Sequence, residues 1–147
     1  MTIEYKPGER FKSMATGSLD YGGIWSHLKW VVAELEPGRA VLEWEPDENH
    51  SFLTADGWIV HGGMVATLLD TAMGQATWGL LNEDEAFLTA DLRTEFFRRT
   101  SPGLVRATGW VVHKTRRMTF ASAELHDGDG RFLAAARATN VTIAASS

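Results

Sequence analysis

The chain has 147 residues, one domain's worth of polymer, since single cores run to about 100–150 residues. It is 44% apolar and 22% charged, which excludes a disordered or fibrous chain, and it holds no cysteine, which removes disulfides, thiolate nucleophiles, zinc ribbons and iron–sulfur clusters together. The start shows no apolar leader, and no run of about 18 apolar residues occurs, so the sequence predicts a cytoplasmic protein without membrane insertion.

The formal net charge of −5 argues against a nucleic-acid partner, but it is unevenly spread. Residues 93–117 carry seven basic side chains (Arg93, Arg98, Arg99, Arg106, Lys114, Arg116, Arg117) against one acid, Glu95. A local charge of +6 on an acidic chain suits a small anionic ligand better than a polyanion.

In chain order, residues 1–26 read as a loose, glycine-dotted N-terminal arm with a weak helical hint at Glu9–Met14, ahead of a single domain over 27–147. Leu28–Glu36 and Arg39–Glu45 are extended runs separated by the turn pair Pro37-Gly38. Pro46 ends the second run, and Asp47–Gly57 reads as a long loop. Val60–Leu81 is predicted as one long helix, its apolar residues at 64, 65, 68, 69, 72, 73, 76 and 80 forming one stripe. Four further extended runs follow: Ala86–Arg99, Leu104–Lys114, Met118–Leu125 and Arg131–Ile143, with turns at Ser101-Pro102-Gly103 and Asp127-Gly128-Asp129-Gly130. Two strands, a helix and four strands make an α+β domain in which an antiparallel sheet wraps a central helix. One sheet leaves edges uncovered, so the architecture predicts sheets paired between two copies.

The chemistry concentrates in His61-Gly62-Gly63 and the helix it opens. Two glycines at a helix start leave backbone N–H groups open to a ligand, at the positive end of the helix dipole, where an oxyanion is favoured. Asp70 lies off the apolar stripe among small neighbours (Ala66, Thr67, Gly74 and Thr77), where a solvated helix would show Lys or Glu. Gly62 and Asp70 are eight residues apart, roughly 12 Å along a helix. A carbonyl on the Gly62 N–H and a water held by Asp70 must lie about 3–6 Å apart to react. One chain cannot supply both groups; two antiparallel helices across a two-fold axis can.

These residues bring the chain close to a known family. His-Gly-Gly before a long helix, an aspartate nine residues after the histidine, and Asp70-Thr71-Ala72 resemble the hotdog-fold acyl-CoA thioesterases of the PaaI type, in the 4-hydroxybenzoyl-CoA thioesterase-like superfamily. Thr89-Ala90-Asp91-Leu92, Ser101-Pro102-Gly103 and the stretch from Asp127 to Ala134 extend the likeness over about residues 28–143. The resemblance implies that Gly62 polarises a thioester carbonyl through its N–H, with Gly63 beside it. Asp70 of the partner subunit would act as general base on water, or as nucleophile through a mixed anhydride. Thr89 would help hold the attacking water and His61 would brace the loop. An asparagine that the family often places six residues before the histidine is replaced by Ala55, with Thr54 and Asp56 beside it.

The same resemblance gives the cationic segment a use: Arg98 and Arg99, and the link Lys114, Arg116 and Arg117, would meet the phosphates of coenzyme A. Trp58, flanking the active loop, and Trp78, at the far part of the helix, are candidates to line an acyl pocket. The implied protein is an acyl-CoA thioesterase, a homodimer or dimer of dimers, with no metal, no resident cofactor and no nucleic-acid or membrane partner. The alternative is a non-catalytic acyl-CoA binding or sensing protein with the same groove. A hydratase would need a paired Asp and His in another arrangement. A metal held by His50, His61, His113 and Asp70 lacks ligand spacing.

Overall fold

The computed structural model describes residues 22–145, so the hint at Glu9–Met14 and most of the expected arm lie outside the described residues. The end of that arm is not loose. Gly23–Leu28 forms a short helix, α1, closed by Lys29 in the left-handed region (φ 58°), whose N–H donates to the Trp25 carbonyl. The first expected strand therefore starts at Val31 rather than Leu28. Trp25, Trp30, Trp44 and His50 stack edge to face in sequence, and the Trp44 indole N–H donates to the Leu28 carbonyl at 2.9 Å, tying α1 to the core.

Strands β1 (Val31–Glu36) and β2 (Arg39–Trp44) form the hairpin predicted by Pro37-Gly38. Proline presets φ at the first turn residue, and Gly38 takes the φ of +81° that a side chain would resist. The long loop expected at Asp47–Gly57 is instead structured. A 3₁₀ turn at Glu48–His50 leads into a small hairpin of β3 (Ser51–Thr54) and β4 (Gly57–Val60). Helix α2 then runs from Gly62 to Trp78, shorter at both ends than the apolar pattern suggested. Strands β5 (Glu85–Phe96), β6 (Val105–Lys114), β7 (Met118–Asp127) and β8 (Phe132–Ala144) complete the chain.

Six strands make one antiparallel sheet in the order β1-β2-β6-β7-β8-β5, which places β5 at one edge. The sheet curls round α2, which touches β2, β6, β7, β8 and β5. Val65, Leu68, Leu69, Ala72, Met73 and Ala76 are buried as the stripe requires, and each large side chain among them stabilises the fold by roughly 1.5–3 kcal/mol relative to exposure. The approach is closest at Gly109 of β6, where an added Cβ would lie 2.5 Å from the backbone carbonyl of Ala72.

A second tie is polar. The Asn140 amide on β8 donates to the Thr77 hydroxyl at 2.9 Å, both groups buried, fixing the far half of α2 against the sheet. Asn140→Ala is expected to lower unfolding free energy by about 1–3 kcal/mol, read from the urea midpoint at unchanged m-value.

β5 is the exposed edge. Its outer hydrogen-bonding side has no strand beside it among the described residues, and Leu88, Leu92 and Phe96 stand exposed on it. The 12 residues of β5 contain no proline, and no strand among the described residues covers the edge on which these three apolar side chains stand.

Candidate active site

His61 closes β4 and caps α2. Its extended backbone turns the chain into the helix, and its Nδ1 accepts the N–H of Gly63 at 2.9 Å. An accepting Nδ1 carries no proton, so the ring is the Nε2–H tautomer. The His61 carbonyl takes the N–H groups of Met64 and Val65. Of the first helical donors, the Gly62 N–H is thus the one with no partner among the described residues, and it lies at the positive end of α2. Both glycines are fitted to their places: a Cβ on Gly62 would come 3.3 Å from the Phe96 ring, and one on Gly63 3.1 Å from His61 Nδ1. His61 thus braces the loop, and Gly63 contributes shape rather than a free donor.

Two turns along α2, Asp70 is half-buried, and the Thr89 hydroxyl on β5 donates to its Oδ1 at 3.1 Å. Burial pushes the Asp70 carboxyl above its ordinary value, and the Thr89 bond pulls in the opposite direction. Thr67 and Thr71 turn their hydroxyls to helix carbonyls, so they do not compete for the carboxylate. Helix and strand run side by side in opposite senses: Gly62 faces Phe96, Asp70 faces Thr89, and Gly74 faces Phe87.

The turn that replaces the expected asparagine is occupied by its own hydrogen bonds. Thr54 donates to the Gly57 carbonyl at 2.8 Å and accepts the Asp56 N–H, while Asp56 is exposed, 3.7 Å from Arg99. Ala55 sits at the tip.

The cationic segment divides between the two ends of the sheet. Arg98 and Arg99 follow β5 and line two adjoining cavities. One, of about 290 Å³, includes Gly62; the other, of about 610 Å³, lies between residues 101–104 and 127–131. In the larger one Arg131 binds Asp127 and Asp129, both at 2.9 Å, so those carboxylates are already paired. Lys114, Arg116 and Arg117 stand at the opposite end, in the β6–β7 link, none with a carboxylate partner among the described residues. Arg93 and Arg106 are held by Glu95 and by Glu34 with Glu43.

Trp58 pairs with Leu53 across the small hairpin, on the face opposite Phe52 and Ile59, and does not line the Gly62 cavity. Trp78 packs edge-on against Phe87 beside Gly74. The cavity walls are residues the sequence pattern did not single out: Phe52, Ile59, Phe96 and Phe97. The adjacent pair Phe96-Phe97 was the available signal: two phenyl rings at the end of a strand, directly before Arg98 and Arg99. No group of metal ligands occurs among the described residues, and no helix there is long and apolar enough to cross a membrane.

A single long helix cradled by a six-stranded antiparallel sheet, with a glycine donor at its start, defines a hotdog-fold protein. Residues 58–134, more than half of the chain, match the Thioesterase superfamily. The medium/long-chain acyl-CoA thioesterase YigI of Salmonella typhimurium is 31% identical over 107 residues, covering 62% of this chain and 69% of that protein. A Pseudomonas aeruginosa protein provisionally named an esterase is 34% identical over 89 residues, but the match covers only 60% of its length and 56% of this chain. Among solved structures, a thioesterase family protein from Silicibacter pomeroyi superposes with a TM-score of 0.81 at 26% identity, over 92% of this chain and 99% of its own. The Escherichia coli PaaI protein gives 0.81 at 18% identity over 95% and 97%, a likeness of fold. The chain belongs to the thioesterase superfamily and is classed with the thioester hydrolases.

Proposed function

We propose that the protein hydrolyses acyl-CoA thioesters to free acid and coenzyme A at sites shared between two copies of the chain. The observation that carries this is the arrangement of α2: a free N–H at Gly62 and a half-buried carboxylate at Asp70, on one rigid helix about 12 Å apart. In the reaction, the thioester carbonyl sits on the Gly62 N–H. Water attacks the carbonyl carbon while Asp70 of the partner subunit takes its proton, and Thr89 of the partner subunit holds that carboxylate. The C–S bond then breaks, and the thiolate leaves with a proton returned from the carboxylic acid. Asp70 attacking directly, through a mixed anhydride, is the other form of the same step. Neither form calls for a resident metal or redox group.

The helix–strand contacts support a specific two-fold axis. An axis beside Ala66, midway between Gly62 and Asp70, brings each glycine opposite the partner's aspartate. Since Gly62 faces Phe96 and Asp70 faces Thr89, the same axis sets Phe96 opposite the partner's Thr89 along β5. Two β5 edges then run antiparallel past each other with Leu92 near the axis, which covers the exposed apolar edge. One operation satisfies both the sheet edge and the chemistry, which favours a homodimer; a dimer of dimers would add a second interface. Arg98 and Arg99, lining both cavities, are suited to the anionic arm of coenzyme A, with Lys114, Arg116 and Arg117 of the partner subunit at the same end of the shared site.

Complementation tests the shared site. Gly62→Pro deletes the donor at a first helical position, where proline is tolerated, and His61 already has the extended backbone (φ −59°, ψ 132°) that precedes proline comfortably. Gly62→Pro and Asp70→Asn are each expected to be inactive as homodimers. Mixed and fully exchanged one to one, they should recover about a quarter of wild-type activity, because half the dimers carry one intact site. No recovery in verified heterodimers overturns the shared site. Tight acyl-CoA binding without turnover by the wild type would favour the non-catalytic sensing role instead.

A further inference from the structure

The cavity that contains Gly62 is built differently from its neighbour. Its larger companion is lined by arginines, aspartates and a proline–glycine turn, whereas this one is walled by Phe52, Ile59, Val65, Phe96 and Phe97. The three rings are braced. Phe96 lies against Gly62, so close that a methyl group there would touch it at 3.3 Å. Phe52 meets the His61 ring edge-on at 6.3 Å, and Phe97 packs on Phe132 at 5.2 Å. Arg98 and Arg99 stand where the two cavities adjoin, so the polar groups gather on one side and the apolar walls on the other.

This division maps onto the two halves of a thioester. A carbonyl held on the Gly62 N–H has the charged companion cavity on one side and the aromatic crevice on the other. Resting on the reading of the site as a thioester-cleaving one, we infer that the crevice receives the acyl group, and that Phe96 sets which acyl groups fit. Its volume within one subunit, about 290 Å³, is less than half the 610 Å³ of its companion. The acyl groups it takes are therefore apolar and compact. Aromatic ones gain edge-to-face contact with the phenyl rings. Apart from Arg98, Arg99 and Thr100, its lining residues carry no polar side chain, so a hydroxyl or carboxylate held among the rings is disfavoured by unpaired burial. Phe96 decides the limit because its ring is the one set against the glycine. The first carbons beyond the carbonyl must pass it, whereas Phe52 and Phe97 are met later.

The experiment measures kcat/KM for benzoyl-, octanoyl-, palmitoyl- and succinyl-CoA with wild type, Phe96→Ala and Phe96→Leu. Wild type is expected to favour benzoyl- and octanoyl-CoA over palmitoyl- and succinyl-CoA by at least tenfold. Phe96→Ala should reduce the octanoyl-to-palmitoyl ratio about tenfold and lower benzoyl turnover, with Phe96→Leu intermediate. Leucine keeps an apolar side chain on the β5 edge, so it reports on selectivity even if alanine weakens the fold. An active wild type whose ratios change less than twofold in both variants overturns the assignment of Phe96, whatever happens to Tm or oligomeric state. A wild type that prefers palmitoyl- or succinyl-CoA overturns the compact apolar class. A wild type that cleaves none of the four overturns the thioester reading, and this inference with it.

Discussion

Asp70→Asn is expected to abolish turnover while making the protein more stable at neutral pH. The loss follows from the role: removing a general base costs about 10²–10⁴-fold in rate, and asparagine can neither accept the water's proton nor form an anhydride. The gain follows from burial, which holds the Asp70 carboxyl above its ordinary value of 3.8 despite the opposing Thr89 hydrogen bond. Between the ordinary value and the raised one, the folded chain keeps a proton that the unfolded chain has released. Stability therefore falls as pH rises through that window, and the penalty is fully present above it. Asparagine is never charged, and its side-chain oxygen still accepts the Thr89 hydroxyl. The Tm of Asp70→Asn should exceed that of wild type at pH 8, and the difference should close as pH drops below 3.8. Wild-type kcat/KM should fall on the acid side with a midpoint above 3.8, because the active form is the carboxylate. Thermal melts across pH, alongside the rate profile, check both halves. An Asp70→Asn variant with most of its activity, or with a lower Tm at pH 8, contradicts the assignment.

Gly109→Ala should be among the most damaging single-methyl changes in the chain. An added Cβ would lie 2.5 Å from the carbonyl carbon and oxygen of Ala72 and 2.8 Å from the Met73 nitrogen. Those are backbone atoms of α2, so relief requires the helix itself to move off the sheet. Overpacking of this kind costs about 1–3 kcal/mol, and here the upper end is expected because no side chain can rotate away. At about 2–4 °C per kcal/mol for a chain of this size, Tm should fall by roughly 6–12 °C. Ala72 is two residues from Asp70, so kcat should fall as well. Gly128→Ala is the matched control for stability: its nearest neighbour would be a carbonyl at 3.6 Å, an ordinary contact, and Tm should stay near wild type. Equal melting temperatures for the two variants would show that the helix does not rest on Gly109.

What the sequence made legible was local and periodic. The stripe on α2, the Pro37-Gly38 turn and the histidine–glycine start announce themselves within a few residues, because each depends on neighbours along the chain. The hairpin β3–β4 did not. Its strands are four residues each, too short to establish alternation, and the segment Thr54-Ala55-Asp56-Gly57 has the composition of any loop. That hairpin carries Phe52 and Ile59, so missing it meant missing one wall of the crevice. α1 was hidden for a related reason: it has six residues, begins at glycine and lacks a capping side chain. The expected first-strand start at Leu28 went with it. The sheet order was out of reach as well, since placing β6 beside β2 is a pairing of residues far apart in sequence. The +6 segment shows the same limit. Composition marked it as cationic, but the ten-residue strand β6 carries Lys114, Arg116 and Arg117 to the end of the sheet opposite Arg98 and Arg99.

With the site shared as proposed, the placing of Gly62 and Asp70 on a single rigid helix would also make association itself an on–off control. No loop motion within one subunit can shorten a helical rod, so a lone subunit would hold two half-sites and no reaction path. Specific activity then follows mass action: it holds constant at high protein concentration and declines on dilution as subunits separate. Any partner that competes for the β5 edge would silence the enzyme without touching substrate, Gly62 or Asp70.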